Sequence, residues 1–400
     1  MPTSIRMYNC AFGDCFRITK SDAPNRHESV LFVDFGIHKL CKRNSNEPTN
    51  WRSQRYQAIV GDILGTYPLN TPHNNVDFLL SHYHYDHYSG LDYLPNNWKF
   101  DNVYIPDVWN DEIDISVIDL LLLRDVYTTA TLANKKSLIS FLIKICHATG
   151  RIYFVQRGRE IQNNNYIALA PSVDLINREA DRVLRNIGID GDNELFLTID
   201  AIAQRLRRIV QNIENTAYEE ERQQLISQLE NIERQLEELI PRINAEGTVQ
   251  QSLSKFANRI NIIFHNQIQC DRNILFTGDA EGDDKKGTPY GREEWQLIEQ
   301  NTDRIAALHE QYHVIKIPHH GTKPHYHDFT SKSTYETIYL IPNGKINKWP
   351  IDARYAVNAN ICGCSVYCSS NRACDATNNH GCTCGNDHIV PEDPNPYQDI

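Results

Sequence analysis

His82-Tyr83-His84-Tyr85-Asp86-His87 gathers three imidazoles and a carboxylate directly after the apolar run Val76-Asp77-Phe78-Leu79-Leu80. A buried strand over 76–80 delivers His82 and His84, two residues apart, to one side of its exit. Gly90 and Leu91 suit a turn into a helix whose first residues project toward the same point, with Asp86 where helix starts favour it. Imidazole and carboxylate donors suit zinc or a neighbouring divalent ion, manganese included, and this set can hold two adjacent ions. Coordination positions left to water give a nucleophile at neutral pH, which is hydrolase chemistry. A surface loop rich in His and Tyr is the competing reading, but composition alone rarely sets this pattern straight after a strand.

Other strand exits carry groups of the same kind. Val30 to Phe35 ends at Asp34-Phe35-Gly36, and Asp34 is a candidate to accept the second nitrogen of a metal-bound imidazole. Ile274-Leu275-Phe276-Thr277-Gly278 ends at Asp279, and Val314-Ile315-Lys316-Ile317 leads into Pro318-His319-His320-Gly321-Thr322. Strand alternation is expected to turn Lys316 away from this cluster, while His325 and His327 extend it and are alternatives for either role of the His pair.

The His-x-His-x-Asp-His pattern, with Gly90 beyond it, resembles the motif of the metallo-β-lactamase superfamily. Together with a first strand leading to Gly13-Asp14-Cys15, Asp34-x-Gly36, Thr277-Gly278-Asp279 and Pro318-His319-His320-Gly321, it is similar to the hydrolase domain of bacterial competence DNA-uptake proteins and their soluble relatives, over residues 5–100 and 255–350. The resemblance implies an α+β fold, a four-layer αβ/βα sandwich, and metal-dependent nuclease or phosphodiesterase activity. It implies His82, His84, Asp86 and His87 as metal ligands, Asp279 as the carboxylate bridging two ions, His319 as a further ligand and His320 as general acid or phosphate contact. Asp86 would also orient the attacking water, and Asn258 and Asn261 match a polar position that implies substrate contact. The chain departs from the pattern twice. The histidine that usually stands between the His motif and the bridging Asp has only His147 and His265 as candidates, neither in a recognisable setting, and His147 reads as a helix-terminal residue. Trp349 stands where Asn343-Gly344-Lys345-Ile346-Asn347-Lys348 would lead to another histidine. One tight and one weak ion, or two tight ones, both remain open.

The positioning elements follow from periodicity. Ile5 to Asn9 and Phe16-Arg17-Ile18 alternate as a hairpin, and the pattern from Phe100 to Gly150 turns helical, with Leu138, Phe141, Leu142 and Ile145 on one face. Arg151 to Val155, Asn258 to Phe264 and Ile274 to Phe276 read as strands. Ile199, Ile202, Leu206, Ile209 and Ile213, then Leu225, Leu229, Ile232, Leu236 and Leu239, step by three and four, so residues 195–245 read as an inserted helical hairpin ended by Pro241. Its apolar stripe is either one long solvated helix's face or an arm for a homodimer or protein partner.

The chain has 400 residues, net charge −11 and 40% apolar content, enough for a large core and unfavourable to a surface that binds nucleic acid through its whole field. No apolar run approaches the roughly 20 residues of a membrane span, and the start lacks a signal peptide, so the expectation is a cytoplasmic protein without membrane contact. Residues 1–354 are expected to form the hydrolase domain and 355–400 a Cys-rich tail. There Cys362, Cys364, Cys368, Cys374, Cys382 and Cys384 suit a structural zinc knuckle, with free thiols or disulfides formed on isolation as the alternatives. Three functions are compatible with these features: a phosphodiesterase or nuclease acting on nucleic acid, a hydrolase of a small molecule such as a lactone, thioester or cyclic nucleotide, and an interaction subunit with a degenerate site.

Overall fold

The computed structural model describes residues 3–8, 10, 13–22, 27–38, 49–67, 76–132, 137–188, 194–215, 219–240, 247–270, 272–283, 288–343, 351–368 and 388–390. In chain order these form β1 (Thr3–Met7), β2 (Cys15–Asp22), β3 (His27–Phe35), α1 (Trp51–Thr66), β4 (Val76–Leu79), α2 (Tyr85–Tyr88), β5 (Phe100–Pro106), α3 (Ile115–Leu132), α4 (Leu138–Ala148) and β6 (Thr149–Val155). The chain then crosses to β7 (Glu160–Ile161), β8 (Tyr166–Ala170), α5 (Val173–Ile187), α6 (Glu194–Asn215), α7 (Glu219–Leu239), α8 (Gly247–Arg259), β9 (Ile263–Asn266) and β10 (Ile274–Phe276). It ends with α9 (Pro289–Gln300), β11 (Val314–Lys316), β12 (Ile338–Ile341), α10 (Ala353–Cys362), β13 (Ser365–Cys368) and β14 (His388–Val390).

The result is a mixed α/β fold built on two mixed seven-stranded sheets, ordered β14-β1-β2-β3-β4-β5-β6 and β13-β12-β11-β10-β9-β8-β7. They pack face to face: Val33 and Leu79 of the first meet Phe264, Phe276 and Val314 of the second in one buried cluster. Phe16 meets Phe276 edge-on at 5.2 Å. Helices cover both outer faces. Phe78, Val103 and Ile105 lie under α3 and α4, while Leu275, Ile315 and Tyr339 lie under Trp295 of α9 and Tyr355 of α10. The strand pairs β3–β4 and β10–β11 are both parallel, so consecutive exits sit side by side and loops from both sheets meet at one edge.

Local chemistry sets the helix ends. Ser137 and Ser140 cap α4 reciprocally, Thr288 accepts from Gly291 N ahead of Pro289 in α9, and Gly363 closes α10 in the left-handed region. His147 sits exposed in the last turn of α4, as its position predicts.

Several elements differ from the sequence expectation. Phe100–Pro106 is a central strand of the first sheet rather than the start of a helical stretch, because its apolar residues pack on both faces and leave no clean alternation. Asn258 and Arg259 end helix α8, whose Leu253, Phe256 and Ala257 are buried at helical spacing, so the strand starts only at Ile263. The stripes of α6 and α7 are buried within the chain, in the same cluster as α3 and α4, and Arg205 on α6 reaches Gln235 on α7 at 3.0 Å. Their own fold covers them, which removes the observation that suggested a partner arm.

After residue 354 the chain continues into the fold: α10 packs on the second sheet, β13 pairs with β12, and β14 pairs with β1. Cys364 and Cys368 belong to the apolar cluster beneath α10, and Cys362 Sγ lies 3.7 Å from Thr330 O. Burial, and then Cys362, push the Cys364 thiol up to about 11. Among the described residues, no cysteine takes part in a cluster of three ligands; Cys374, Cys382 and Cys384 lie outside the described residues.

Candidate metal centre

The exit of β4 alternates inward and outward. Tyr83, between the two histidines, turns into the core, where its hydroxyl donates to Pro106 O (2.6 Å) and accepts from Trp109 Nε1 (3.1 Å). Arg124 of α3 donates to Tyr83 O (2.9 Å) and pins the backbone between His82 and His84. His84 is still extended, and α2 begins after it, carrying Asp86 and His87. The loop rests on Gly36, where a Cβ would lie 2.1 Å from Asp86 O, so the Asp34-x-Gly36 turn and the His motif need each other's shape.

Asp34, left-handed at φ 56°, sits behind this loop. Its Oδ1 accepts from Ser81 N (2.7 Å), and its Oδ2 accepts from Ser81 Oγ (2.7 Å) and His87 Nδ1 (2.8 Å). With its own proton given to Asp34, Ser81 Oγ is free to accept from His82 Nδ1 (3.0 Å). Both imidazoles are thereby held with Nδ1 protonated and the Nε2 lone pair facing outward from Asp34.

The second sheet answers with Asp279 and the His pair. Gly278, at φ 49°, has no room for a Cβ, which would stand 2.0 Å from Asn261 Oδ1. Asn261 holds this turn: its Oδ1 accepts from Asp279 N (3.0 Å) and its Nδ2 donates to Thr277 O (2.8 Å). His319 and His320 both adopt left-handed backbone, φ 43° and 57°, which is strained for a side-chain-bearing residue and folds both rings back toward Asp279. His320 Nδ1 donates to Pro342 O (2.7 Å), so its Nε2 also presents a lone pair, and Asn343 Nδ2 holds His320 O (2.7 Å).

Four imidazole nitrogens converge on one oxygen. Asp279 Oδ2 lies 3.9 Å from His82 Nε2, 3.5 Å from His87 Nε2, 3.5 Å from His319 Nδ1 and 3.7 Å from His320 Nε2. These separations exceed a normal N–H···O bond. They match the roughly 3.4 Å between two donors each about 2.1 Å from one tetrahedral zinc. His84 Nδ1 is 3.0 Å from His82 Nε2, as neighbouring ligands of one ion would be. Asp86 joins His87 and His320 in a second compact donor set. Acceptors facing acceptors in a buried space call for a cation, and the residues fit one or two divalent ions.

The proton affinities carry the same message. Burial alone would lower His87, but Asp34 and Asp279 hold it well above the usual histidine value; against the same burial, Asp279 and Asp14 raise His320. Burial keeps His82, His84 and His319 well below that value. Burial would raise Asp279, yet the charges of His319, His320 and His87 hold it well below the usual carboxylate range.

The structure thus brings His82, His84, Asp86, His87, Asp279, His319 and His320 together, with Asp34 behind them. Some sequence expectations do not hold. Asn261 is fully buried with both ends of its amide used by the turn, so it shapes the site and cannot touch substrate. Asn258 lies 3.2 Å from His319 Nδ1, on a helix rather than a strand. His327 stacks on Trp295 at 3.8 Å and pairs with Asp283, away from the donors, and His325 stacks on His319 without joining the donor sets. His265 stacks on His309 and His147 is exposed at a helix end, so neither lies among the donors, whereas His319 Nδ1 comes within 3.5 Å of Asp279 Oδ2.

Lys316 turns into the site, 2.6 Å from Asp14 and 3.6 Å from Asp279 Oδ1. Alternation does hold: Lys316 shares the inter-sheet side with Val314, and that side opens onto the centre at the strand's end. Asp14, Ser81 and Lys316 had no role in the sequence reading. Their signals were the buried-looking Gly-Asp-Cys, a serine directly before the first histidine, and a lone lysine in an apolar strand. No protein-family model matches this chain, and no curated protein matches it, so the reading of its function rests on the chemistry of this centre.

Proposed function

We propose that this chain is a metal-dependent hydrolase of the metallo-β-lactamase type that cleaves phosphodiester bonds, with nucleic acid as its substrate. The observation that carries the reading is the set of three buried imidazoles, His82, His87 and His320, each fixed at Nδ1 by an acceptor and aimed through Nε2 at the same carboxylate oxygen. Two sheets with helices on both outer faces support the αβ/βα sandwich. His82, His84 and His319 would hold one divalent ion, Asp86, His87 and His320 the other, and Asp279 both; zinc and manganese suit these donors. Bound ions there supply Lewis acidity and lower the pKa of a water, so no protein base is required.

The chain's own residues set the rest. His320, fully buried and tied at Nδ1, acts as a ligand, whereas the His319 side chain keeps 19% exposure and lies beside Asn258 of α8. Asp86, half-buried, orients the water. Asp14, Asp34, Asp86 and Asp279 against Lys316 leave a negative centre that two dications make net positive, which suits an anionic phosphodiester. The fully buried Asp34 and Ser81 keep the imidazoles in their binding tautomer.

Elemental analysis of purified protein, followed by incubation with linear, circular and single-stranded nucleic acids in Mn²⁺ or Zn²⁺, tests this. Cleavage that His84→Ala and Asp279→Ala abolish is the expected result. Less than one equivalent of metal in the centre would overturn the metal reading in favour of an interaction subunit. A loaded protein inert on every nucleic acid would overturn the substrate.

A further inference from the structure

Lys316 is 1% exposed and its ammonium has three neighbours: Asp14 Oδ2 at 2.6 Å, Gly278 O at 2.5 Å and Asp279 Oδ1 at 3.6 Å. Asp14, also 1% exposed, turns its other oxygen to His320 Nδ1 at 3.2 Å. The two oxygens of Asp279 therefore have different surroundings. Oδ1 faces a lysine and Oδ2 faces four imidazole nitrogens. A buried cation beside one oxygen competes with any ion for that oxygen, and an unpaired ammonium here would be strongly disfavoured.

We propose that Lys316 is a positioning residue of the centre: its charge, held in place by Asp14 at 2.6 Å and standing 3.6 Å from Oδ1 of Asp279, keeps that oxygen from the divalent ions and leaves them Oδ2. This rests on the two-ion reading above. A carboxylate sharing one oxygen holds two ions closer than one that spans them with both oxygens, and it keeps them in one rigid frame. Lys316 and Asp14 come from opposite sheets, β11 and the turn before β2, so the pair also ties the sandwich together at the edge where the centre sits.

The test uses full-length wild type, Lys316→Met, Asp14→Asn and the double variant. Each is stripped of metal and titrated with Mn²⁺ while electron paramagnetic resonance reads both free Mn²⁺ and coupling between bound ions. Wild type is expected to take up two equivalents with a spin-coupled spectrum. Lys316→Met is expected to lose about 10- to 100-fold in affinity, the effect of removing a group that orients ligands, and to show uncoupled ions. The double variant leaves neither charge buried alone, so it controls for folding. If it stays weak and uncoupled, the lysine acts on Asp279. If it returns to wild-type affinity and coupling, the pair serves folding only and the proposal is overturned. Lys316→Met that binds and couples like wild type overturns it alone, whereas a wild type that takes up no Mn²⁺ or Zn²⁺ overturns the centre and this role with it.

Discussion

The exits of β4 and β11 each deliver histidines to the same carboxylate, but by opposite means. At β4 the frame lies within one sheet: an extended His84, a short helix starting at Tyr85, Ser81 beside the first imidazole, and Asp34 at the end of neighbouring β3 behind Ser81 and His87. At β11 the backbone passes through two consecutive left-handed residues, and the groups that hold His320 come from afar, Pro342 at the end of β12 and Asp14 before β2. One exit is held from within its own sheet, the other partly from across the sandwich. The first frame forms with its sheet. The second is complete only when both sheets have docked.

The largest expected effect ignores this difference. His87→Ala and His320→Ala should each drop bound metal by about one equivalent and cleavage to background, measured by elemental analysis and nuclease assay; retention of both ions in either variant would remove that exit from the centre. Replacing the groups behind the rings sharpens the contrast. Asp34→Asn and Asp14→Asn should each weaken metal binding about 10- to 100-fold. Only Asp14→Asn should also lower the stability of the metal-free protein substantially, because it leaves Lys316 buried without its closest anion. Equal melting temperatures for the two variants would break the comparison.

A smaller effect separates global stability from the centre. Burial, with Asp200 and Asp114 adding to it, pushes Asp119 on α3 up to about 8, and its Oδ1 has no hydrogen-bond partner. The raised value means that the folded state holds the proton. The associated stability is complete below about pH 4 and is lost as pH rises through about 8. Asp119→Asn should therefore stabilise the protein on the order of 1–2 kcal/mol at pH 9, do nothing at pH 4, and leave metal affinity unchanged. A gain of equal size at both pH values would contradict the assignment.

The smallest expected effect returns to the strained exit. His319→Gly should stabilise the metal-free protein by up to about 1 kcal/mol, since glycine accepts the left-handed region, while His84→Gly at an extended position should destabilise it by about 0.5–1 kcal/mol. Chemical denaturation of both, without metal, decides; destabilisation by His319→Gly would mean that the ring's packing outweighs the backbone strain.

The donors were legible because their types are rare and their spacing is short: His82 to His87, Asp279 and the His319-His320 pair all come together. Elements with clear periodicity were legible too, including α4 and the stripes of α6 and α7. Residues whose role is to hold others were not. Asn261 is spent on the Gly278 turn, Asp14 and Lys316 meet across the sheets, and β5 is buried on both faces, so none leaves a periodic or local trace.

By itself the sequence determined which side chains could bind a cation and which segments would bury an apolar face, because both follow from residue type and short-range spacing. Only the tertiary structure decided that Asp279 turns one oxygen to the histidines and the other toward Lys316, that His319 reaches the same oxygen as His82 and His87, and that the α6–α7 stripes face inward. Each of these depends on groups tens to hundreds of positions apart meeting at a few ångströms, and that meeting is fixed by how two sheets and their helical layers pack.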